Sequence, residues 1–341
     1  MLHTPKRLFV GRPLRSDRLG ETLLPKKLAL PVFCSDPLSS VAYATEQILL
    51  VLGLGGLSLL WLTPWLALGV VALLVIVVAS YRQTCRAYPN GGGAYAVSRR
   101  NLGVPASLVA ASALLVDYVL TVAVSVVAGV AAITSAFPVL VPHAVLLSLI
   151  AVVLLTVVNL RGVKESGRAF AVPTYGFVAI VLVLLLVAGV RLALGQTLTA
   201  ESAHYGLVAP EHTGQLLVVF LALRAFASGC TALTGVEAVS NGVPSFREPK
   251  SRNAASTLSI MGTLAIVMFA GITALAIVTR VHMAEDTSRL IGLPHGQAQK
   301  TALSQIGLAV FGAGPCSTSC ADDVPRGRAA TPARVRARGS A

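Results

Sequence analysis

The chain has 341 residues, of which 55% are hydrophobic and only 12% are charged, against about 25% charged in a soluble domain. Long apolar runs recur along most of it, which excludes a soluble globular domain and marks an all-α polytopic membrane protein. The net charge of +13 would suit a nucleic-acid partner, but Lys and Arg cluster between the apolar runs, so they read as topology and no nucleic acid is expected.

Residues 1–27 form a basic tail, expected to be cytoplasmic, in which no cleavable signal is legible. Segment 1 covers about residues 28–53, a glycine turn follows at 53–56, and segment 2 covers about 57–80. After a polar loop at 81–103 come segment 3 (about 104–137), segment 4 (about 144–160) and segment 5 (about 170–194). Segment 6 covers about 215–243 and segment 7 about 254–278, and a stub follows at 306–314. The tail and the loops after segments 2, 4 and 6 hold seven, four, three and three Lys or Arg, whereas the opposite side holds only Arg191, Arg280, Arg289 and Lys300. The positive-inside rule then puts the N-terminus in the cytoplasm and the chain in the inner (plasma) membrane. The stub is too short to span, and residues 315–341 are rich in Arg, Ala and Pro without helical periodicity. That end reads as a disordered or frame-shifted tail on a truncated chain, with a natural basic tail as the alternative.

Segment 1 carries Ser35-Asp36-Pro37-Leu38-Ser39-Ser40, a polar interruption about nine residues past Lys27 and so roughly 13 Å into the bilayer. A carboxylate at that depth marks a functional site, and Pro37 with Ser39 and Ser40 predicts a break near 36–40. The alternative is an ordinary helix start, with Ser35-Asp36-Pro37 as its cap. Segment 6 carries Ser228, Gly229, Gly235 and the mid-segment acid Glu237, predicting a second break near 228–235. Small residues that merely allow close helix packing are the alternative there. Two breaks five segments apart are the pattern of a transporter built from two five-helix inverted repeats. Residues 28–194 would be the first repeat and 215–314 an incomplete second. In segment 3, Asp117 and Thr121 share one helix face inside the membrane; a structural hydrogen bond between helices is the competing explanation. Glu46 falls near the outer interface and is expected to be a solvated carboxylate. Scattered cysteines and histidines give no disulfide framework, resident metal or cofactor, and no nucleophile–base constellation suggests an enzyme.

Three buried acids with hydroxyl neighbours are hard oxygen ligands for a desolvated cation. At this point a resemblance becomes specific. Pro89-Asn90-Gly91-Gly92-Gly93-Ala94-Tyr95 resembles the P-x-G-G-x-Y signature of the amino acid–polyamine–organocation (APC) superfamily. Within it, the stretch from Ser35 to Tyr43, Asp117-Tyr118, and Thr231-Ala232-Leu233-Thr234-Gly235-Val236-Glu237 look like the Kup/KimA-type potassium importers. The resemblance implies the five-plus-five inverted-repeat fold and secondary, proton-coupled uptake of potassium. It implies potassium coordination at Asp36, Tyr43, Asp117, Tyr118, Thr121 and Thr234, with Glu237 as the proton-coupling acid. The expected partners are therefore a potassium ion, a proton and the bilayer, with a homodimer as one arrangement. An amino acid permease is the alternative transporter, and an inactive fragment or partner-dependent membrane subunit the alternative of another class.

Overall fold

A computed structural model describes residues 23–160, 163–208, 214–293 and 298–312. The 315–341 tail and most of the basic N-terminal tail lie outside these residues. Ten α-helices are described: α1 Lys26–Gly53, α2 Thr63–Ala87, α3 Ala94–Asn101, α4 Val104–Ala136, α5 Ala144–Leu160, α6 Val163–Ala193, α7 Gln215–Gly229, α8 Val236–Asn241, α9 Lys250–Val278 and α10 Ala302–Phe311. A two-residue antiparallel ladder, β1 Gly206–Leu207 with β2 Leu290–Ile291, ties the α6–α7 and α9–α10 connections together. Among the described residues, six helical stretches are long and apolar enough to cross a membrane: 57–87, 104–136, 138–160, 169–193, 215–241 and 250–278.

α1 is not one of those six. Its polar centre lowers its hydropathy, and it is surrounded by protein instead of lipid. It packs against α6, α7 and α9, and touches α2, α8 and α10. Ala29, Cys34, Leu38, Val41, Ala44, Ile48 and Leu52 are all fully buried. α5 is the opposite case: none of its residues is buried, and Val145, Leu149 and Val153 stand out from the protein. A helix apolar on every side and bare on the protein surface is one made for hydrocarbon.

The structure corrects the expected break in segment 1. α1 stays helical from Lys26 to Gly53 with Pro31 and Pro37 inside it. Each proline removes one N–H and frees the carbonyl four residues back. The carbonyl freed by Pro31 belongs to Lys27, and the Tyr175 hydroxyl of α6 donates to it at 2.8 Å. Beside Pro37, Ser39 Oγ donates to the Asp36 carbonyl at 3.0 Å, the local back-bonding that membrane helices use around prolines. A neighbouring side chain thus replaces the bond lost at Pro31, and packing on three helices keeps the rod intact through Pro37.

Segment 6 is interrupted. α7 ends at Gly229, a 3-10 turn covers Cys230–Leu233, Thr234 is extended and Gly235 is left-handed with φ +76° before α8 begins. The turn satisfies its own backbone. Thr231 Oγ1 donates to the Ser228 carbonyl at 2.9 Å, and Thr234 Oγ1 donates to the Thr231 carbonyl at 2.8 Å. Gly229 has ordinary helical geometry and serves close approach, since a Cβ there would lie 2.7 Å from Ile48 of α1.

Candidate functional site

The interruption between α7 and α8 lies directly against the polar centre of α1. Gly235 makes that approach possible: a Cβ on it would stand 2.5 Å from Asp36 Oδ2 and 2.9 Å from Pro37 Cδ. Its positive φ also favours a residue with no Cβ. From this contact a chain of hydroxyls closes. Ser40 Oγ lies 2.9 Å from both Tyr43 Oη and Thr234 Oγ1. Tyr43 Oη lies 3.4 Å from Ser125 Oγ on α4, and Ser125 donates to Asp36 Oδ1 at 3.4 Å. α1, α4 and the break thus contribute Asp36, Ser40, Tyr43, Ser125 and Thr234 to one cluster of oxygens.

A second cluster lies beside it. Glu237, in the first turn of α8, accepts from Tyr81 Oη at 3.4 Å through Oε2. Its Oε1 is buried and has no partner among the described residues. Asn241 Nδ2 donates to Tyr118 Oη at 3.1 Å, joining α8 to α4. Asp117 stands close enough to both Asp36 and Glu237 for their like charges to repel. No basic side chain compensates these acids: the ion pairs among the described residues are Lys250–Glu248 at 3.9 Å and Lys300–Glu201 at 2.6 Å.

The structure therefore joins Tyr43 to Thr234 through Ser40 and Tyr43 to Asp36 through Ser125, with Asp117, Tyr118 and Glu237 alongside. Thr121 is half-buried on α4, between Asp117 and Ser125. Ser39 bonds its own helix and Ser228 lends only its carbonyl to the break. Sequence reasoning missed Ser125, Tyr81 and Asn241. Ser125 had a signal, because Asp117, Thr121 and Ser125 repeat at intervals of four along one helix face. Tyr81 and Asn241 had none, since each is brought in by the way α2 and α8 pack.

Glu46 departs from its expected place in solvent. It is half-buried, and its Oε2 accepts from the Ala302 N–H at 2.8 Å. A carboxylate here complements the positive end of α10. The opposite end of α10 meets Arg191 of α6, whose Nη1 donates to the Val310 carbonyl.

Two comparisons bear on this arrangement. A family model for amino acid permeases matches residues 29–313. The potassium transporter KimA of Bacillus subtilis (strain 168) is 48% identical over 276 residues, covering 81% of this chain and 45% of that protein. The chain spans about half the length of the curated relative it matches. With the match running through α1, α4 and the interrupted α7–α8 pair that build the site, the chain belongs to the amino acid permease family of the APC superfamily.

Proposed function

We propose that the chain carries the cation pathway of a secondary active transporter that takes potassium into the cell together with a proton. The observation that supports this most is the set of three acids, Asp36, Asp117 and Glu237, gathered at membrane depth with no basic partner among the described residues. Uncompensated carboxylates in a poorly solvated place require a cation or a proton. The hydroxyls of Ser40, Tyr43, Ser125 and Thr234 are hard donors that can replace part of a potassium ion's water shell. Asp36, Tyr43, Asp117, Tyr118, Thr121 and Thr234 hold the ion on this reading. Glu237, with one unpartnered oxygen, takes and releases the proton. The similarity to a potassium transporter supports the same reading. The five-plus-five inverted repeat and a cytoplasmic N-terminus complete it: the basic loops then face inward, and the break lies on the first helix of the second repeat.

An amino acid permease would present bare amides to a substrate carboxylate. Here Asp36 is seated against Gly235 and would repel such a group strongly in a low-dielectric site. The test uses cells that lack other potassium importers and express the protein. Asp36→Asn and Asp117→Asn are expected to abolish growth on low potassium, and Glu237→Gln to leave uptake that no longer responds to the proton gradient. Accumulation of labelled amino acids with potassium uptake unchanged overturns the proposal in favour of the permease.

A further inference from the structure

A pocket of about 380 Å³ lies between α1 and α4, lined by Glu46 and Gln47 of α1, the small-residue face of α4 around Ala123 and Ala128, and Thr301 at the start of α10. That volume holds about a dozen waters. Glu46 follows Tyr43 by three residues and Ala128 follows Ser125 by three, so the pocket opens one helical turn beyond the Tyr43–Ser125 contact. The cation site proposed above makes no use of it.

We infer that this pocket is a vestibule that holds a second, weakly bound and still partly hydrated monovalent cation at Glu46, one turn beyond the Tyr43–Ser125 contact. This rests on the cation reading of that site and on its inward orientation. Glu46 is the only carboxylate on the lining, with Gln47 and Thr301 as its polar companions. Its Oε2 is occupied by the Ala302 N–H, while Oε1 has no partner among the described residues and is not sealed from the pocket. The N-terminus of α10 carries roughly half a positive charge and offsets part of the carboxylate's pull. The remainder is enough to draw a cation in and too little to trap it, as a conduction pathway requires. α4 contributes mainly alanines and valines, which leave room for water and offer no competing ligand.

The simpler role for Glu46 is to cap α10 and nothing more, and the two roles separate by substitution. Glu46→Gln keeps an oxygen that accepts from Ala302 and removes the charge, whereas Glu46→Ala removes both. Radioactive rubidium binding is measured on membranes containing the protein, with Asp117→Asn as the comparison. The wild type is expected to bind in two phases. Glu46→Gln should weaken the low-affinity phase by about fivefold or more and spare the tight phase, and Asp117→Asn should do the reverse. A low-affinity phase that survives Glu46→Gln and is lost only in Glu46→Ala makes Glu46 a cap alone and overturns the vestibule. Loss of the weak phase in Glu46→Gln with no effect of Asp117→Asn leaves the vestibule standing and sinks the inner site. Absence of rubidium binding overturns both.

Discussion

At the residue scale the site depends on two small side chains. Gly235 combines a left-handed backbone with an approach to Asp36 that leaves no room for a Cβ. Gly235→Ala adds about 1–2 kcal/mol of backbone strain and pushes a methyl into the carboxylate, so Asp36 or the break must shift. The expected outcome is loss of uptake with a lowered melting temperature, whereas Gly229→Ala, which meets the buried apolar side chains of Ile48 and Val70, should affect stability more than transport. Ser40 is fully buried and bridges Tyr43 to Thr234. Ser40→Ala leaves two hydroxyls short of a partner, about 1–3 kcal/mol of lost stabilisation. It should raise the potassium concentration for half-maximal uptake without changing the amount of protein in the membrane, measured by uptake titration beside quantitative blotting.

At the element scale, α10 is a ten-residue helix, short enough to be marginal on its own. Glu46 at its N-terminus and Arg191 at its C-terminus each oppose the helix dipole, and its own Ile306 and Val310 form a buried inner face. Arg191→Met keeps the apolar stem and removes the charge and the donors. With about 1 kcal/mol at stake, amide exchange in α10 is expected to quicken roughly fivefold while α9 stays protected; equal exchange before and after would show that packing alone holds α10. This element was barely legible in the sequence, where it read as a stub, because its anchors come from residues 46 and 191. The interruption of segment 6 was legible, since glycines and hydroxyls act locally on the backbone. The continuity of α1 was not. It depends on Tyr175, distant in sequence, supplying the hydrogen bond that Pro31 withholds, and no local pattern announces that. Asp117 and Thr121 were readable as a stripe because helix periodicity is a local property, whereas Tyr81 joins Glu237 only through the packing of α2 on α8.

At the scale of the whole molecule, charge and burial divide the structure along two axes. Across the bundle, α1 is enclosed while α4 and α5 show bare apolar faces to the surroundings. Along it, Arg82, Arg86, Arg99 and Arg100 gather around α3 at one end, with Arg99 and Arg100 lying over the rings of Tyr95 and Tyr88 at 5.9 and 5.5 Å. The other end holds the Glu201–Lys300 pair and the small β1–β2 ladder. Arginines near a helix end favour the cytoplasmic side, and tyrosines favour the interface. The expected topology therefore has the Asn90 turn inside and the His204 loop outside. Both residues are exposed, so each accepts a reporter cysteine once the native cysteines are replaced by serine. A membrane-impermeant maleimide added to intact cells should label His204→Cys and reach Asn90→Cys only after the membrane is opened. The opposite pattern would invert the bundle. The pocket at Glu46 would then face the cytoplasm, the vestibule would become an exit, and the inward direction proposed for the ion would fail while the oxygen cluster around Asp36 kept its geometry.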